Sequence, residues 1–487
     1  MSSRLLAAAG SFSLAGALAA SALHRRLHLS ESEAAPDRAS LSAREDRVIT
    51  VRGTAFERGA ALERILGGDV AALAETRRRL YSAEGVAAWR RRATTCEAAW
   101  REHAPVSWRE LEGQLHTGAR ASDLLLLATD YEQQMESWRD DGLLAAPGRC
   151  TAFALTDAAG GAALCGQNVD EACAGWFDGK RDVVVRHVSS EASTPHALLY
   201  THPGVPAYCG LNSAGLCVLN LYIDEPPEPA VEAGPVATRR GPLLAATASS
   251  SGGGGGGGGG GVPIDVVLRE MLAFSSIEQA TAWLERLPRT EPSTYVLMQA
   301  GVVACVEASP SRVATLWLRG DAELCHSNHP ICDQRMQAAW EAQAEAGGAS
   351  AVPCASAAAS TAEPTGGVVG EGGGGAPGGP PAASAAADAA SAAERGGSPS
   401  SECSSDLNCS SVARLDSMRR ALRAARRADG GLDVFAARQL LEGCPPVHET
   451  DVPTLSRVLL EPEKGRMHIR FRGEAEWRVL GFADDQL

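Results

Sequence analysis

The order of patterns along this 487-residue chain predicts an α+β fold, a sandwich of sheets and helices, not a doubly wound parallel sheet. Two observations predict it. Helix-like, Arg/Glu/Ala-rich sequence fills residues 48–135, and strand-like sequence sets in abruptly at Cys150. The strands then follow one another across short turns, without the strand–helix alternation of βαβ units.

The elements follow in order. Val48–Val51 reads as a strand, and Gly53–Gly59 opens a helix. Leu73, Leu80 and Val86 fall in helical patterns, which Trp108–Leu115 and Ala121–Tyr131 continue. Cys150–Leu155 is strand-like, Asp157–Gly161 supplies a turn, and Ala163–Gln167 returns. Strands are expected at Val183–Val188, Ala197–Thr201 and Leu216–Tyr222, with Asn212–Gly215 turning the chain before Leu216. Pro263–Leu272 and Ile277–Leu287 read as helices. Tyr295–Gln299 and Val302–Glu307 form a strand pair around Ala300 and Gly301, and Leu455–Leu460 with Met467–Phe471 forms the last hairpin. Leu415, Met418 and Leu422 mark an apolar stripe at helical spacing, which makes the basic run Arg419–Arg427 the wet side of an amphipathic helix.

Two stretches interrupt this pattern: Gly252–Gly261 is ten consecutive glycines, and about 345–406 is mostly Ala, Gly, Ser and Pro. Neither can bury enough apolar surface to offset its ordering entropy, so inserts are expected at about 245–261 and 345–406. Residues 1–46 read as a targeting segment. Arg4 precedes the Ala/Leu/Ser run Leu5–Leu23, and no acid appears before Glu31. This suits a secretory signal or an organellar transit peptide, with a cytoplasmic location as the alternative.

A net charge of −14 argues against nucleic acid as a partner, because phosphate contacts need a clustered positive field. The thirteen cysteines include no C-x-x-C pair, and His326 and His329 lack a matching Cys/His/acid cluster, so no metal site is expected. No glycine-rich phosphate loop follows a strand, so no nucleotide cofactor is expected.

The chemistry centres on Cys150, at the head of a strand behind Pro147, Gly148 and Arg149. A buried structural thiol is the plain reading. A helix-borne Cys/His pair fits poorly, because the sequence after Cys150 alternates like a strand. If the chain is cut before Cys150, the new α-amino group sits on the residue that carries the thiol. Its pKa near ~8 suits a general base.

At this point the chain resembles a known family. The stretches GRCTAFAL at Cys150, GQNVD at Gly166–Asp170, GLNSAG at Gly210–Gly215 and HSNH at His326–His329 occur in the order and approximate spacing of the peptidase C45 family. These are the isopenicillin N acyltransferase or acyl-CoA:6-aminopenicillanate acyltransferase-like Ntn hydrolases. ITVRGTAFERG near the front, the sequence ahead of Cys150, and Gly261–Arg269 extend the resemblance over about residues 48–480.

The resemblance implies a four-layer αββα Ntn sandwich with an N-terminal helical segment. It implies cutting at Arg149–Cys150 into residues 47–149 and 150–487, the two products forming the mature heterodimer. Cys150 would be the nucleophile, Asp170 would orient or balance its amine, and Asn328 would donate to the oxyanion. Asn220 and Asn168 are looser supporting candidates. The implied activity is cleavage or transfer of an acyl group at a small-molecule amide or thioester through acyl-Cys150. No cofactor is implied; acyl-CoA would enter only as a substrate. Arg149 stands where the family commonly has glycine, and Val169 where it often has an aromatic residue. An uncleaved binding module on the same fold is the alternative.

Overall fold

The computed structural model describes residues 46–79, 81–141, 149–156, 163–171, 179–223, 260–310, 312–332, 337, 405–429, 432–444 and 453–482. Residues 1–45, Leu80, the expected turn after β2 and most of both inserts lie outside these.

The first segment holds β1 (Val48–Gly53), α1 (Ala55–Arg78), α2 (Ala83–His103), α3 (Pro105–His116), α4 (Ala121–Ala128) and α5 (Asp130–Asp141). Strands then run as β2 (Arg149–Thr156), β3 (Leu164–Asp170), β4 (Val183–Ser189), β5 (Ala197–Thr201), β6 (Cys209–Asn212) and β7 (Cys217–Tyr222). After α6 (Ile264–Met271) and α7 (Ile277–Arg286) come β8 (Ser293–Gln299), β9 (Val302–Ala308), β10 (Val313–Arg319) and β11 (Ala322–His326). The chain closes with α8 (Ser405–Asp429), α9 (Val434–Gly443), β12 (Thr454–Glu461), β13 (Arg466–Phe471) and β14 (Arg478–Leu480).

The strands form two sheets. One has the order β1-β4-β5-β6-β7-β8-β9-β10, the other β11-β2-β3-β12-β13-β14. Among the described strands every ladder is antiparallel except β1 with β4.

Strand alternation separates three buried layers. Val184, Leu198, Leu219 and Val296 of the larger sheet meet Ala152, Ala154, Val169 and Val458 of the smaller one. The opposite face of the larger sheet, including Val183, Val185 and Leu199, packs on α1–α4, α6 and α7. The opposite face of the smaller sheet, including Phe153, Leu155 and Leu459, packs on Leu415, Met418 and Leu422 of α8 and Leu440 and Leu441 of α9. The result is the four-layer αββα sandwich expected from the sequence. Each fully buried Leu, Ile or Phe contributes roughly 1.5–3 kcal/mol to it.

Three details differ from the expectations. Helix Ala121–Tyr131 breaks at Thr129, whose hydroxyl bonds back to Leu125 O at 2.8 Å and receives Trp89 Nε1 at 3.1 Å. The polyglycine run does not stay outside the fold to its end. A Cβ on Gly261 would lie 2.4 Å from the Arg289 carbonyl carbon, so the backbone is packed there at a distance only glycine allows. Strands β10 and β11 were not anticipated; they pair with β9 and β2 and not with each other, and the turn between them carries the chain from one sheet to the other.

Candidate active site

Antiparallel register assembles the site at the start of β2. Strand β11 runs against β2 with His326 opposite Ala152, so the loop leaving β11 reaches the level of Cys150. On the other flank β3 runs against β2 with Val169 opposite Cys150 and Asp170 opposite Arg149. Cys150, Ala152 and Ala154 face the other sheet, while Phe153 and Leu155 face the outer helices.

Asn328 meets the Cys150 backbone directly: its Oδ1 accepts the Cys150 N–H at 3.1 Å. Its Nδ2 donates to Tyr222 O at 2.9 Å, at the end of β7. Arg414 of α8 closes the group. Its Nη1 donates to Cys150 O and to Thr151 Oγ1, each at 2.7 Å, and its Nη2 donates to Asn328 Oδ1 at 2.7 Å. Ser411, one turn earlier on α8, accepts the Asn328 N–H at 2.9 Å and bonds the Ser327 hydroxyl. The backbone atoms and the amide around Cys150 are thus fixed by buried hydrogen bonds, those from Arg414 being charge-assisted.

Asp170 is fully buried. Its Oδ1 accepts from Thr454 Oγ1 at 2.6 Å, while Oδ2 meets no donor. Burial pushes this carboxyl up to about 6, against the pull of Arg414 and the Thr454 bond. Burial also pushes the Cys150 thiol up to about 12, the negative charge of Asp170 adding to it and a bond from Gln167 opposing it. In the uncut chain the thiol is therefore held as S–H, with an acceptor carboxylate nearby.

The two supporting candidates point elsewhere. Asn168 lies on the outer face of β3 and donates to Leu441 O of α9 at 2.9 Å. Asn220 shares its face of β7 with Val218 and Tyr222, away from the Cys150 side, and its Oδ1 accepts the Ser293 hydroxyl. Only its carbonyl turns to the site's neighbour, accepting Gln167 Nε2 at 2.6 Å.

The histidines of the HSNH stretch are structural partners here. His326 Nε2 pairs with the buried Glu307 at 2.9 Å and Nδ1 with Ser327 O at 2.6 Å. Burial opposes its charge, but Cys305 and Glu307 outweigh this and hold the imidazole above its ordinary value. With both nitrogens committed, His326 has no lone pair to offer a thiol proton. His329 is pushed down to about 3 by burial and by His326, Arg419 and Arg414, and its Nδ1 meets Ser411 Oγ at 3.0 Å. Glu307 also accepts the Ile331 and Cys332 N–H groups at 2.6 and 3.0 Å, which fixes the whole loop. Among the described residues no three His, Cys, Asp or Glu side chains are placed to hold a metal ion.

Sequence reasoning missed Arg414, Ser411, Tyr222 and Gln167. A signal for the first two exists: Ser411 and Arg414 lie on the same helical stripe as Leu415, Met418 and Leu422, where a solvated helix would place apolar residues.

No protein-family model matches this sequence, and no curated protein sequence matches it. Solved structures are similar at low identity. Two variants of the conjugated bile acid hydrolase from Clostridium perfringens are each 14% identical, over 68% of this chain and 92% of theirs, with TM-scores of 0.37 and 0.38. Penicillin V acylase from Agrobacterium tumefaciens is 12% identical over 68% of this chain and 86% of its own, with a TM-score of 0.34. No activity is carried from these proteins to this chain.

Proposed function

We propose that this protein is a cysteine amidohydrolase or acyltransferase of the N-terminal-nucleophile type, of the C45 kind that its motifs resemble. It cuts itself at Arg149–Cys150 and then acts through acyl-Cys150. One observation carries this reading: the Cys150 nitrogen, at the head of an inner strand, rests on Asn328 Oδ1, which Arg414 also grips. A structural cysteine in mid-strand needs no such side-chain cradle for its own backbone nitrogen.

In self-cutting, Cys150 Sγ bonds to the Arg149 carbonyl carbon while its proton leaves toward Asp170. The Arg149–Cys150 C–N bond breaks, the amine takes up a proton, and a thioester remains. Water then cleaves the thioester, leaving the Arg149 carboxylate and the Cys150 thiol. The freed amine inherits the contact with Asn328 Oδ1 and serves as the base for the thiol in the second reaction. There Sγ attacks an amide or thioester carbonyl, the amine or thiol product leaves, and water or another amine accepts the acyl group. The remaining N–H of Asn328 Nδ2 is the donor for the oxyanion, since an amide donates without titrating.

The test is covalent trapping. The cut protein, incubated with an activated acyl thioester and quenched in acid, is expected to gain one acyl mass on the peptide beginning at Cys150. Acylation elsewhere, or none, contradicts the role of the thiol.

A further inference from the structure

On the helical face of the larger sheet lies a cavity of about 50 Å³, walled by α1, α2, α3 and β4. The sheet separates it from Cys150: Val185, which lines the cavity, belongs to the layer under the helices, and Cys150 to the layer between the sheets. Leu62, Gln114, Gly204 and Pro206 line it and are only half-buried, so it opens to solvent on their side. Leu66, Leu111 and Val185 give it apolar walls.

Four polar groups on this one cavity have no partner among the described residues. Trp100 is 2% exposed, and its Nε1 is a buried donor that meets no acceptor. The Ser107 hydroxyl, the Gln114 amide and His187 Nε2 take part in no hydrogen bond either; the only side-chain bond of these three runs from His187 Nδ1 to Glu110 Oε1, at 3.1 Å. Burial opposes the charge of Glu110, but Arg269, His187 and Arg58 outweigh it and hold this carboxyl well below the ordinary range. The carboxylate therefore accepts from Nδ1–H, which leaves Nε2 as a lone pair. Leaving buried donors and acceptors unmade is costly, so four on one cavity point to a molecule that meets them.

The charges around the cavity are already committed. Arg58 Nε and Arg269 Nε donate to Glu110 at 3.1 and 2.8 Å, and His202 Nδ1 lies 2.6 Å from Asp182. Burial pushes His187 down to about 4, against the pull of Glu110, so its imidazole is neutral. A charged ligand would enter without a counter-ion, which favours a neutral one. An imidazole this far down is too weak a base to activate Ser107, and no hydrogen bond joins the two. The volume admits roughly four waters, or one molecule of about five non-hydrogen atoms. A primary amide has two N–H donors and an oxygen with two lone pairs, one for each of the four groups. An alcohol has one donor fewer.

We propose that this cavity is a binding site for a short-chain primary amide, whose oxygen accepts from Trp100 Nε1 and the Gln114 amide and whose N–H groups donate to His187 Nε2 and Ser107 Oγ. It is a second site, apart from the thiol, and it does not rest on the reading of Cys150.

The test is titration of the full-length protein, carrying ¹⁵N-labelled tryptophan, with propionamide and its two isosteres, butanone and propionate. The indole N–H signals of the nine tryptophans are followed by NMR, and the Trp100 signal is the one lost in Trp100→Phe. Propionamide is expected to shift the Trp100 signal saturably. It is expected to bind at least about fivefold more tightly than butanone, which lacks the N–H groups, or charged propionate, the worth of one net hydrogen bond. Gln114→Leu is expected to weaken propionamide by about the same factor. No saturable shift means that the cavity holds water alone, and overturns the site, as does equal binding of amide and ketone. Should Trp100→Phe fail to fold, the isostere preference and Gln114→Leu, at a half-buried position, decide: no preference, or an unchanged affinity in the variant, overturns it. The Cys150→Ala protein is expected to give the same shift and affinity. Loss of binding there places the amide at the thiol and overturns the second site, while a protein that never cuts itself still returns an answer.

Discussion

Arg414, which the sequence did not single out, binds the Cys150 carbonyl, the Thr151 hydroxyl and Asn328 Oδ1 with one guanidinium. Arg414→Ala removes three charge-assisted bonds and frees Asn328 to turn. Self-cutting is then expected to slow on the order of 100-fold, the scale of losing a preorganised donor. Arg414→Lys keeps the charge but cannot make the fork, and is expected to fall between wild type and alanine. The uncut fraction followed by intact mass over time checks both, with circular dichroism confirming the fold. Equal cutting by all three proteins removes Arg414 from the mechanism. Asp170 and Asn328 were singled out because each lies in a short motif that the resemblance carries, the first just past a predicted strand. Arg414 was not, because a long low-complexity stretch separates it from the motifs, and nothing local says which arginine of α8 turns inward.

At the scale of elements, the strand pattern was legible wherever alternation and a tight turn coincided, as at β6–β7 and β12–β13. β10 escaped because Val313–Arg319 is an edge strand, partly exposed on both faces, so its pattern has no buried side to show. β11 is short and reads as loop until its pairing with β2 is known. The close packing of α1 on α3 was likewise invisible. A Cβ on Gly113 would lie 2.0 Å from Phe56 O, and one on Gly59 would lie 1.9 Å from Glu110 O, so these glycines let two helix backbones touch. Gly113→Ala forces the helices apart. It is expected to cost about 1–3 kcal/mol or more, read as a lower denaturant midpoint. An unchanged midpoint would mean that the helices are not in this register.

Across the whole molecule, the segments on either side of Arg149–Cys150 are joined by buried contacts. Glu110 of α3 receives Arg269 Nε at 2.8 Å and Arg269 Nη2 at 2.5 Å, with His187 Nδ1 at 3.1 Å and Arg58 Nε at 3.1 Å. Glu270 of α6 accepts the Val106 and Ser107 N–H groups at the start of α3. β1 pairs with β4 along its full length. Two chains produced by a cut at Arg149 are therefore expected to co-elute on gel filtration and to separate only in denaturant. Separation without denaturant contradicts this interface.

The buried acids give the molecule a pH signature. The folded-state pKa of Glu132 is raised to about 7 from its ordinary 4.5, so the folded protein keeps a proton that the unfolded chain loses. This group's contribution falls as pH rises from 4.5 through 7. Glu132→Gln lacks that loss, so its stability relative to wild type is expected to climb over this window by on the order of 1–3 kcal/mol and then level off. Paired urea titrations at pH 5 and pH 8 read the difference, and a flat difference contradicts a carboxyl whose burial outweighs its bonds from Ile264 N–H and Thr290 Oγ1.

The central claim is that Cys150 becomes an N-terminus. Intact mass and N-terminal sequencing of purified wild type and Cys150→Ala test it most directly. The account predicts a wild-type fragment beginning Cys-Thr-Ala-Phe and a variant that stays in one piece. A wild type that remains a single chain across neutral pH contradicts the free-amine mechanism, and would make the fold an uncut binding module instead.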